Sequence, residues 1–217
     1  MSRANKVTYD HWLEHLFSEF ASKRDQQEVD FPDTWYSNPR ILVEHYTHFL
    51  EDPVPVVQKF GNELTGEVLW GLASTTHNVS VEVCHLKIPL ELRDQAILAM
   101  GSMIRKLAPQ HLTRKVWDSW DKLDSTIFMY WDIAPVWPAK GTDHGRALLE
   151  VCLAEMQDVL LIEHPVAQLH ALHGLSEFHI NFPSQTKPIV DAWIADHPHI
   201  SPKLMEYAQH ASDGLVQ

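Results

Sequence analysis

Apolar residues recur along this chain at three-to-four spacing, the period of an amphipathic helix. In "TYDHWLEHLFSEFASKR", Trp12, Leu13, Leu16, Phe17 and Phe20 form one stripe. In "NPRILVEHYTHFLED", Ile41, Leu42, His45, Tyr46 and Phe49 form another. Leu92, Ala96, Ala99, Met100, Met103 and Ile104 continue the pattern, and "ALLEVCLAEMQDVLLIE" predicts a further helix. Asn38-Pro39, Asp52-Pro53 and Ser201-Pro202 each set a capping side chain before a proline, whose missing N–H is tolerated in a first turn. Ile88-Pro89 and His164-Pro165 predict two more starts. Strand signal is confined to residues 77–88, "HNVSVEVCHLKI", where valines alternate. A lone strand has nothing to pair with, so this stretch reads as an extended connection. Residues 130–145, "YWDIAPVWPAKGTDHG", hold two prolines and two glycines and read as a loop. The expectation is one all-α domain over 1–217, with residues 132–145 as its candidate internal boundary.

Helix hairpins in succession predict a short α-solenoid of stacked hairpins, with an irregular helical bundle as the alternative. The segment "PVAQLHALHGL" followed by "PIVDAWIAD" resembles a HEAT-like repeat. In that resemblance Pro165, Val166, Ala167, Ala171, Leu172, Gly174 and Leu175 correspond to a first helix. Ile189, Val190, Asp191 and Ile194 correspond to a second. It covers about residues 164–200 and implies a HEAT/armadillo-like stack that binds a protein partner on a concave helical face. The small residues Ala171 and Gly174 would let helices approach closely.

The same stretch carries four histidines, His164, His170, His173 and His179. On one helix they do not converge. His170, His173 and Glu177 fall within an arc of about 60°, away from the arc of Ala167, Ala171, Gly174, Leu175 and Phe178. Two imidazoles and a carboxylate are zinc-ligand chemistry, so these three are the candidate metal ligands of an alternative reading, a small metal- or histidine-dependent helical enzyme. The preferred reading makes them a polar helix face beside a small-residue core, with no cofactor.

Other motifs point away from common chemistries. His11-Trp-Leu-Glu14-His15 spells an inverted zinc-peptidase motif, but Trp12 and Leu13 serve the helix stripe. Gly61 and Gly66 stand at phosphate-loop spacing, yet Glu67 and Val68 occupy the positions of the required Lys and Ser/Thr. No GxGxxG or GxSxG occurs, and one Glu-x-x-His is too few for a di-iron bundle.

Net charge is −12 with no basic run, which argues against nucleic acid and permits a basic protein partner. The acidic, tryptophan-rich stretch "WDSWDKLDSTIFMYWD" supplies the candidate binding residues: Trp117, Trp120 and Trp131 with Asp118, Asp121 and Asp124. Two cysteines without a CxxC pair, no signal-peptide pattern and no apolar run of membrane-spanning length predict a cytoplasmic, non-membrane protein. The expected function is non-enzymatic partner binding. An acidic immunity-type inhibitor of a basic protein is a further alternative.

Overall fold

The computed structural model describes residues 8–22, 38–74, 79–84, 88–134 and 136–216. The fold is all-helical, with no strand among the described residues. Its helices are α1 (Tyr9–Ser22), α2 (Pro39–Glu51), α3 (Val54–Ala73), α4 (Val79–Val83), α5 (Leu90–Leu107) and α6 (Lys122–Phe128). They continue as α7 (Tyr130–Ile133), α8 (Asp143–Leu160), α9 (Pro165–His179), α10 (Pro183–Asp196) and α11 (Pro202–Ser212). None of the described helices is long and apolar enough to cross a membrane.

Several starts form as the sequence dictates. Asn38 Oδ1 accepts from the Ile41 N–H at 3.5 Å, and Ser201 Oγ accepts from the Leu204 N–H at 3.3 Å. Asp52 behaves differently. It closes α2, its N–H donating to the His48 carbonyl, and the chain turns helical again only at Val54. Val79–Val83, expected as extended connection, is a short helix whose Val79 and Val83 are buried. Tyr130–Ile133, expected as loop, is the single turn α7. The rest of that loop is packed, with Val136 buried and the Trp137 ring stacked on Phe178 at 5.8 Å.

The two glycines at phosphate-loop spacing have structural work instead. Gly61 adopts φ +80° and breaks α3, a conformation that L side chains rarely reach. Gly66 lies against the start of α6, where a Cβ would stand 2.4 Å from the Lys122 carbonyl carbon. The zinc-peptidase pattern on α1 is likewise an ordinary helix surface. Trp12 and Leu16 are buried, His11 is exposed, and Glu14 pairs with Lys59.

α1 packs on α3, α3 on α6, α2 on α5, and α5 on α8. From α8 onward each helix packs on the next. α9 also meets α6, α7 and α11, so the chain folds back around it. Every residue of α9 from Val166 to Phe178 is consequently buried.

Candidate functional site

The polar face of α9 was expected at the surface; the structure encloses it. His170 is 1% exposed. The Trp131 indole N–H donates to its Nε2 at 3.0 Å. An indole nitrogen only donates, so Nε2 carries a lone pair and Nδ1 carries the hydrogen. Nδ1–H then donates to the Ile127 carbonyl at 2.6 Å. Both nitrogens of a neutral imidazole are satisfied. Glu155 Oε1 of α8 lies 3.5 Å from Nε2, and burial raises the carboxyl's pKa more than the imidazole lowers it. Burial thus favours the neutral form of the Glu155 carboxyl.

Above this pair the hydroxyls of Tyr46 and Tyr130 share a short hydrogen bond, and burial pushes both well above the ordinary tyrosine range. A void of about 10 Å³ beside Tyr46, Tyr130 and Trp131 is far too small for a substrate. Cys152 is buried and Cys84 half-buried, and burial pushes the Cys84 thiol up to about 11, away from thiolate chemistry.

His173 belongs to different surroundings. Its Nδ1 lies 3.2 Å from the Tyr207 hydroxyl of α11, and its ring is 4.7 Å from that of Phe128. Nε2 is buried without a partner, and burial lowers the imidazole's pKa. Glu177 is 9% exposed, and its pKa is raised by burial and by Asp132. The three candidate ligands are therefore split. His170 is committed to Trp131 and Ile127, while His173 and Glu177 face α6, α7 and α11. Among the described residues no three His, Cys, Asp or Glu side chains are arranged to hold a metal ion.

The acidic tryptophan stretch is also divided. Trp117 is 42% exposed and Asp118 is exposed. Trp120 is half-buried against Phe128, ring centroids 4.9 Å apart, with its N–H donating to the Val116 carbonyl. Asp121 and Asp124 cap α6 reciprocally. Asp121 Oδ1 accepts from the Asp124 N–H at 2.9 Å, and Asp124 Oδ2 from the Asp121 N–H at 3.3 Å. Asp124 also takes the Thr113 N–H at 2.9 Å, and Asp121 takes Asn62 Nδ2 at 2.6 Å. Burial nevertheless raises the Asp124 carboxyl to about 6. Trp131 is in the core, 5.5 Å from Phe178. As a partner-binding surface the stretch thus contracts to Trp117 and Asp118, flanked by Trp120; Asp121, Asp124 and Trp131 hold the fold.

A recess of about 590 Å³ lies elsewhere, between α8 and α10. Its apolar wall is made by Leu161, Ile189, Ala192 and Trp193; Asp158, ion-paired with Arg105, and Asp196 stand at its edge. Trp193 is fixed from both sides. Its N–H donates to the Leu160 carbonyl at 3.3 Å, and the His197 ring stacks on it at 4.7 Å. Leu161 sits just past the end of α8 with 71% of its surface in solvent. The sequence signal for this recess is the run "VLLIE", where apolar residues continue past the turn that ends the helix. No protein-family model, curated protein or solved structure matches this chain.

Proposed function

We propose that this chain is a non-enzymatic binding protein that docks a basic, apolar-faced segment of a partner protein in the recess between α8 and α10. One observation carries this reading: an apolar wall with a 71%-exposed leucine, edged by carboxylates, on a chain of net charge −12. An exposed leucine beside a fixed tryptophan gains by being covered, since each buried apolar side chain contributes about 1.5–3 kcal/mol. Asp196 at the edge, on a chain of net charge −12, attracts cationic segments and repels acidic ones. The HEAT-like resemblance of residues 164–200 belongs to the same proposal, because α9 and α10 pack as a hairpin and the outer side of α10 supplies the wall.

Two labelled helical peptides test it by fluorescence anisotropy, one of leucine and lysine and one of leucine and glutamate. The lysine peptide should bind and lose affinity as salt rises. Leu161→Asp should weaken it at least tenfold while leaving the circular dichroism spectrum unchanged. Equal binding of both peptides, or an unaffected Leu161→Asp, sinks the reading.

A further inference from the structure

Trp117 stands on the connection between α5 and α6, exposed to solvent and tilted against the Tyr207 ring of α11 at 6.4 Å. Its neighbours are cationic. Arg114 and Lys115, both exposed, precede it in the chain, and Lys203 of α11 holds its ammonium 5.8 Å from the indole ring centroid. Among the described residues none of these three side chains has an ion-pair partner. Other cations are committed: Arg105 meets Asp158, Lys106 meets Asp52, and Lys187 meets Asp213. Asp118 and Glu206 adjoin the group in sequence, so three cations stand against two carboxylates around one exposed indole. On a chain of net charge −12 this is a local reversal of sign.

The recess between α8 and α10 has the opposite make-up. Leu161, Ile189 and the fixed Trp193 give it an apolar wall. Asp158 at its edge is taken by Arg105, but Asp196 is exposed and, among the described residues, has no ion pair. Glu163, two residues past Leu161, is exposed and equally without one. A volume of about 590 Å³ lies within the range that encloses a small ligand, so an indole fits. Trp117, Arg114, Lys115 and Lys203 do not line this recess. Held against α11 and outside the recess of its own chain, Trp117 can enter only that of another copy.

We propose that this chain associates with a second copy of itself, the Trp117 indole of one entering the recess between α8 and α10 of the other, with Arg114, Lys115 and Lys203 facing Asp196 and Glu163. The inference rests on the reading of the recess as a docking site and names its occupant. Tryptophan is the residue that most often anchors such a contact, because one ring covers a large apolar area. Two unlike surfaces meet, so each copy brings one half of the contact in each role. The net charge of two such chains opposes their approach. At about 0.15 M salt that repulsion is screened beyond about 8 Å, whereas opposite charges in contact are screened less.

Analytical ultracentrifugation of the full chain, at that salt and from about 10 µM to about 1 mM, tests it. The weight-average mass should rise above the monomer with concentration, and the leucine–lysine peptide should bring it back. Trp117→Ser and Leu161→Asp should each weaken self-association at least about tenfold with unchanged circular dichroism. Lys115→Glu, at an exposed and unpaired position, should weaken it in the same direction by less. An equimolar mixture of the Trp117→Ser and Leu161→Asp chains should associate again, since each keeps the half that the other lacks. A wild-type chain that stays monomeric, or a mixture that does not recover, overturns the inference. A monomeric chain that still binds the leucine–lysine peptide overturns it while the docking reading stands; a chain that does neither overturns both.

Discussion

His170 and His173 sit three residues apart on one helix, each 1% exposed. Their surroundings are nevertheless opposite. The side of α9 that carries His170 is sealed, with both ring nitrogens bonded and Trp131, Glu155 and Ile127 arranged around them. The side that carries His173 is closed by aromatic rings but leaves its Nε2 without a partner. Burial alone therefore does not separate a fully bonded imidazole from one with an unpaired nitrogen. The count of satisfied nitrogens does.

The sealed side should be the more fragile. Its sharpest probe is Gly174→Leu. A Cβ there would lie 2.4 Å from Trp131 Cδ1 and 3.0 Å from Met156 Cε, so the overpacking is against α7 and α8, not against the following helix. We expect a loss of about 3 kcal/mol in urea denaturation, the upper end of overpacking costs. A loss below about 1 kcal/mol would mean that Trp131 moves freely and the side is not sealed.

His170→Leu comes next. It strands the Trp131 N–H in the interior and leaves the Ile127 carbonyl only its bond from the Met129 N–H, for an expected loss of about 2 kcal/mol. His173→Gln removes at most one hydrogen bond, to Tyr207, and should cost about 1 kcal/mol. The order of the two histidine variants is the comparison itself. A His173 variant costlier than the His170 variant breaks it.

The smallest effects are in pH, and they have opposite signs. Glu155 has its pKa raised by burial, so the folded chain holds the proton more tightly than the unfolded one. Its contribution is present in full below about pH 4.3, the unfolded glutamate value, and is lost as pH rises through the folded pKa. His173 has its pKa lowered by burial, so stability falls as pH drops below about 6.5, the unfolded histidine value. His164, lowered to about 4, adds to that second slope. Urea midpoints measured from pH 4 to 8 should show Glu155→Gln removing a decline towards alkaline pH and His173→Gln removing one towards acid. Identical profiles for the two variants would erase the distinction.

Much of the helical framework was legible because caps and stripes are local. Asn38 and Ser201 bond the backbone three residues on, as their place before proline predicts. The turn at Asp52 and the helix at Val79–Val83 were not legible, since a proline and alternating valines each fit two local structures. The site was read least well, for a tertiary reason. Periodicity divides α9 into a small apolar arc and a polar arc, which is how a surface helix looks. Burial of the polar arc depends on α6, α7 and α11, supplied by residues tens of positions away. Asp121 and Asp124 could have been read as a cap from their three-residue spacing, had the helix start been placed at Lys122. Leu161 and Trp193 belong to separate helices, and only their packing makes a recess.

The break at Gly61 has a consequence in time. The segment Val54–Phe60 is joined to the rest of α3 through Gly61, one residue of positive φ at which the helix kinks. It can unravel without disturbing Asn62–Ala73, which α6 holds in place. α9 has no such freedom, because helices on every side must first depart. In native-state hydrogen exchange the amides of Val56–Phe60 should therefore exchange through local opening, while those of Leu169–Leu175 wait for the whole molecule to unfold.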